Sequence, residues 1–204
     1  MIVFAGIKSE KKRQKMRKSV VHITYFTHAT TKDNEQGVVS GWADAELSEK
    51  GKAECAELRK LMKNRKFDVV FCSDSRRATD SAELTFGNSI KMIKDERLRE
   101  VNYGDFTGKP ARMIDSIMLE HISKPFPNGE CYMDVEKRVK SFLNDPIKNH
   151  PDKRIAVVSH RAPQLSLDVI LKGNTWEQAI REDWRSKKPK EWKAGWEYKL
   201  IVNE

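Results

Sequence analysis

The chain has 204 residues and a formal charge of +9, with 38% hydrophobic and 34% charged residues. That length suffices for one substantial core and favours a single domain over two. No run reaches about 18 apolar residues, which excludes a hydrophobic membrane-spanning helix. The apolar start is short and its charges follow it, so no secretory leader and a cytoplasmic location are expected.

Most of the charge is local. Lys8, Lys11, Lys12, Arg13, Lys15, Arg17 and Lys18 against Glu10 make residues 8–18 net +6 and leave +3 for everything else. Residues 1–19 read as a basic N-terminal arm, solvated rather than bound to nucleic acid or a membrane surface, and residues 20–204 as one domain. Cys55, Cys72 and Cys131 are scattered and odd in number, which offers no metal-ligand spacing and fits free thiols in a reducing compartment.

Val20 to Phe26 crowds β-branched and aromatic residues into seven positions, which predicts a buried strand, and His28 follows its end. Ser48 is set to cap an amphipathic helix over 49–64, with Ala53, Ala56, Leu58, Leu61 and Met62 at helical spacing. A second buried strand spans 67–72 and ends at Ser73. A helix over 76–86 and a short strand over 90–93 follow. Residues 98–104 form a loop carrying Glu100. Three prolines around a short helix over 113–122 suit a lid ending at Pro127-Asn128-Gly129-Glu130.

Val135, Val139, Phe142 and Leu143 mark the next helix. A strand over 154–159 runs directly into His160, and Pro163 suits the first turn of a helix reaching Leu171. Thr175 caps a helix to Trp184, and a last strand covers 196–202. Trp176, Trp184, Trp192 and Trp196 are expected to pack this tail onto the body, and His22, His121 and His150 to be structural.

Strands alternating with helices predict a three-layer α/β/α fold with a mostly parallel sheet. Its consequence is geometric. Three strands deliver His28, then Ser73 with Arg77 one helical turn on, then His160, to one sheet edge, where ligands of open α/β sheets bind. Two imidazoles and a guanidinium beside helix N-termini predict an anion site suited to phosphate.

At these residues the chain resembles the histidine phosphatase superfamily, which includes the cofactor-dependent phosphoglycerate mutases. That family opens with Arg-His-Gly, and Thr27-His28-Ala29 stands in that place, with Asn34, Gly41 and Asp44 in step behind it. Leu47-Ser48-Glu49-Lys50-Gly51 is similar to its Leu-Thr/Ser-x-x-Gly, and Ser73-Asp74-Ser75-Arg76-Arg77-Ala78 to its Ser-x-x-x-Arg-Ala. Leu98-Arg99-Glu100 with Tyr103-Gly104 is similar to its acid loop, Pro127-Asn128-Gly129-Glu130 to its lid and Ser159-His160 to its second histidine. The likeness covers about residues 22–171.

The resemblance implies a phosphoglycerate mutase-like fold and a phosphatase needing neither metal nor cofactor. His28 would form a phosphohistidine, Glu100 would carry the proton, and Arg77 and His160 would hold the phosphoryl group. Thr27, Thr31, Asn34, Gly41 and Arg161 would line the pocket around a phosphorylated small molecule. Two departures stand out: Thr27 and Val38 occupy places where the family has arginines, and Arg161 or Lys32 would have to restore the charge. The alternatives are mutase-type phosphoryl transfer, which usually goes with a longer insertion than residues 105–126, and a phosphate-binding pseudoenzyme. A nucleic-acid role would rest on the basic arm alone.

Overall fold

The computed structural model describes residues 18–186 and 195–203; the basic arm up to Arg17, and Trp192, lie outside them. Five strands form one sheet in the order β3-β2-β4-β1-β5. They are β1 (Lys18–Thr27), β2 (Val69–Cys72), β3 (Met92–Lys94), β4 (Arg154–Ser159) and β5 (Trp196–Asn203). All adjacent pairs are parallel except β1 with β5, which run antiparallel. β1 begins two residues before the apolar run, because Lys18 and Ser19 find backbone partners in Asn203 and Val202.

Side chains alternate across a strand, so each strand contributes to both faces. Val21, Ile23 and Tyr25 join Val69, Phe71, Ile155 and Val157 on one face. There they pack with α5 (Tyr132–Asn149), α6 (Arg161–Lys172) and α7 (Trp176–Glu182). Phe26, Val70, Cys72, Ala156 and Val158 meet Leu58 and Met62 of α2 (Glu49–Met62) and Ala82 and Phe86 of α3 (Arg76–Phe86) on the other. The result is the expected three-layer arrangement with a mostly parallel sheet. Each fully buried aliphatic side chain stabilises it by roughly 1.5–3 kcal/mol before chain entropy is charged against it.

The predicted caps at Ser48 and Thr175 both accept backbone amides, and Thr175 forms a full capping box with Gln178. Other boundaries move for local reasons. The helix after Ser48 stops at Met62, because Lys63 closes it with a tight turn onto Lys60. The lid helix is α4 (Ala111–Ile117), started by Pro110 and continued by a 3-10 turn, Met118–His121. The tail helix ends at Glu182, and Trp184–Ser186 forms a separate 3-10 turn. A five-residue helix, α1 (Lys32–Gln36), has no apolar period to announce it and rests on its Thr31 cap.

His121 stacks on Phe126 at 3.9 Å and His150 lies edge-on to Phe71, the packing roles expected of them. Trp176 is buried with its indole donating to Glu136, and Trp184 pairs with Trp196 at 5.9 Å. No helix among the described residues is long and apolar enough to cross a membrane.

Candidate active site

Parallel β1, β2 and β4 end together, and the residue after each strand lands at one edge. His28 donates its own amide to the Ser159 carbonyl, which locks the end of β1 beside the end of β4. The imidazoles of His28 and His160 consequently lie 5.0 Å apart between centroids, tilted by 61°. Arg77, in the first turn of α3, is 2% exposed and donates to the carbonyls of Gly41 at 2.7 Å and Ala43 at 3.0 Å.

Hydrogen bonds define the tautomer of His28. Its Nδ1 lies 2.8 Å from the Ala29 carbonyl, an acceptor, so Nδ1 carries the proton and Nε2 carries the free lone pair. Burial, and next the charge of Arg77, push its pKa down to about 3. Burial and then Arg77 hold His160 well below its ordinary value too. Both rings are therefore neutral near pH 7. His160 Nε2 meets the Ser75 hydroxyl at 3.1 Å, whereas its Nδ1 is buried without a partner among the described residues. Tyr25 clamps the His160 backbone, its hydroxyl donating to the carbonyl at 2.7 Å and accepting from the amide at 3.0 Å.

Glu100 reaches the same edge through the first turn of α6. Its carboxylate accepts the amides of Val101, Arg161 and Ala162, two of which are the unsatisfied donors of a helix N-terminus. The loop carrying it is stapled by Arg138 of α5. That guanidinium donates to the carbonyls of Arg97, Arg99 and Glu100 and to both oxygens of Glu130. Glu130 in turn accepts the amide of Asn102, and the Trp42 indole donates to the Glu100 carbonyl. Nothing in the spacing marks Arg138 or Tyr25 as site residues. Arg138 looks like one charge among several on a helix surface, and Tyr25 like part of a buried strand.

The remaining expected residues divide. Gly41 is in the left-handed region, φ 52°, and its carbonyl orients Arg77. Thr27 is half-buried at the end of β1. Thr31 is fully buried, and its hydroxyl and the Asn34 carboxamide cap α1 reciprocally, so both build the loop instead of lining an open pocket as expected. The two cations expected to restore charge are also otherwise engaged. Lys32 pairs with Glu46 at the surface, and Arg161 is bound by Asp115 and by Asp183 at 2.6 Å.

Close approaches keep this geometry rigid. A Cβ on Gly51 would sit 2.0 Å from the Thr30 carbonyl oxygen, so only glycine lets α2 abut the His28 loop.

Residues 25–181 match the model of the histidine phosphatase superfamily (branch 1). Phosphoserine phosphatase 1 of Hydrogenobacter thermophilus is 27% identical over 166 residues, covering 76% of this chain and 77% of the relative. A 2,3-bisphosphoglycerate-dependent phosphoglycerate mutase of Bartonella tribocorum is 27% identical over 177 residues, covering 79% and 86%. The solved alpha-ribazole phosphatase of Shigella flexneri superposes with a TM-score of 0.70 at 25% identity, covering 78% of this chain and 84% of that one. A two-histidine edge on this sheet and a match over more than half the chain lead to one conclusion: the chain belongs to the histidine phosphatase superfamily, with a phosphoglycerate mutase-like α/β fold.

Proposed function

We propose that the chain hydrolyses a small phosphomonoester through a phosphohistidine on His28, without metal or cofactor. The observation that carries this reading is the state of His28: neutral, with Nδ1 tied to a carbonyl and Nε2 left as a nucleophile beside His160 and within the field of Arg77. In the first step Nε2 attacks phosphorus, the P–O ester bond breaks, and the leaving oxygen takes a proton from Glu100. In the second, water attacks phosphorus and returns a proton to Glu100, the P–N bond breaks, and inorganic phosphate leaves. Arg77 and His160 stabilise the charge on the transferring group, and the exclusion of water strengthens both interactions.

Relatives named phosphoserine phosphatase and alpha-ribazole phosphatase support a phosphorylated small molecule as substrate. A relative named as a mutase favours a second reading, transfer of the phosphoryl group to an acceptor other than water. One experiment tests both. The parent and His28→Ala are assayed on a panel of phosphate esters with alkaline quenching to preserve phosphohistidine. Hydrolysis and labelling at position 28 are expected in the parent only. Equal rates in the two proteins would refute the mechanism, and transfer outpacing release of phosphate would favour the second reading.

A further inference from the structure

Phosphoryl transfer spreads negative charge over three equatorial oxygens, and fixed cations decide how well it is held. Here Arg77 already gives two donors to carbonyls, Thr27 offers no charge, and Lys32 and Arg161 are bound by carboxylates. A further guanidinium reaches the same edge from far along the chain. Building on the hydrolase reading above, we propose that Arg185 contacts the transferring phosphoryl group, with Nη2 as the donor to one of its oxygens.

The placement of Arg185 is over-determined. Its guanidinium lies beside a pair of indoles, 4.9 Å from the Trp184 ring and 5.7 Å from that of Trp196. Trp196 is the register partner of Tyr25, the residue that clamps the His160 backbone. Nη1 donates to Gln164 at 3.0 Å, in the turn of α6 that closes onto the His160 carbonyl, and to Asp183 at 2.8 Å. Asp183 spends its other oxygen on Arg161, the residue directly after His160. Gln164 thus touches His160 directly, and Trp196 and Asp183 reach it through one intervening residue each, Tyr25 and Arg161.

What is left over is one donor group. Nη2 of Arg185 is buried and has no acceptor among the described residues, whereas buried guanidinium donors are ordinarily satisfied. A phosphoryl oxygen supplies the missing acceptor. The charge also acts where the chemistry is: after burial and Arg77, Arg185 is a further cause that depresses the His28 imidazole. Cation–π contact with two indoles and the bond to Gln164 hold the fork in place before any anion arrives, which limits the entropy cost of using it.

The test compares Arg185→Ala, Arg185→Lys and His28→Ala with the parent, using p-nitrophenyl phosphate turnover, binding and inhibition by inorganic phosphate, and thermal melting. Arg185→Ala should lower kcat/KM and weaken phosphate inhibition by roughly tenfold to a hundredfold, the size of one charged hydrogen bond. Added methylguanidinium should recover part of that loss in Arg185→Ala and none in His28→Ala, a rescue that a purely structural role would not produce. Should Arg185→Ala fail to fold, Arg185→Lys decides, because it keeps a charge for Asp183 but not the planar fork. A parental melting temperature with weakened phosphate inhibition then supports the assignment, and parental inhibition overturns it. Inactive His28→Ala alongside parental constants in both Arg185 variants sinks the Arg185 assignment alone. Hydrolysis retained by His28→Ala sinks the hydrolase reading, and phosphate binding by the Arg185 variants then decides the assignment directly.

Discussion

Replacing His28 by Asn should remove a defined share of the protein's acid sensitivity. In the folded state burial and the Arg77 charge push this imidazole down to about 3, so it stays neutral through mildly acid pH. The unfolded chain has an ordinary histidine near 6.5 and takes up a proton as the pH falls through that value. Because the unfolded state then binds more protons, stability falls with falling pH from about 6.5 down to the folded value near 3. Between pH 7.5 and 5 the loss attributable to His28 is about 2 kcal/mol. Asn can still donate to the Ala29 carbonyl but cannot titrate. Urea unfolding at several pH values should therefore show the parent losing about 2 kcal/mol more than His28→Asn over that interval, or about 1 M more in midpoint at a slope near 2 kcal/mol/M. His160 and the carboxylates are common to both proteins and cancel in the comparison. Parallel stability curves would mean that position 28 is charged or solvated in the native state, and the neutral-nucleophile reasoning would fall with it.

Two further perturbations address what supports the site. Arg138→Met leaves the carbonyls of Arg97 and Arg99 and the Glu130 carboxylate without the guanidinium, the Glu100 carbonyl keeping the Trp42 indole. A loss of about 3 kcal/mol is expected from the part-buried groups left unpaired, with kcat falling more than KM rises; an unchanged melting temperature would show the staple to be dispensable. Gly51→Ala drives a Cβ to 2.0 Å from the Thr30 carbonyl oxygen, backbone that cannot yield without moving the His28 loop. It should cost at least 1–3 kcal/mol and reduce turnover, whereas parental rates and stability would show that α2 does not brace the nucleophile.

What was legible beforehand and what was not separate along one physical line. His28, Arg77 and His160 could be placed together because each follows a strand or opens a helix whose period is visible locally, and parallel strands bring such positions to one edge whatever the side chains do. Glu100, by contrast, lies in a loop and joins them only through the family resemblance. Arg138, Tyr25 and Arg185 act through contacts between segments far apart in the chain, and no local period reports a contact of that kind. Thr31 and Asn34 show the converse. Their spacing fits a binding loop and a helix cap equally well, and the cap prevails because it satisfies two backbone donors at once at no cost in exposed polar surface. The same logic separates Arg161 from the charge missing at Thr27. Position in the sequence puts that arginine beside His160, but Asp115 and Asp183 bind its guanidinium. Asp183 is also what fastens Arg185 to the edge, so one carboxylate draws the nearer cation aside and anchors the more distant one.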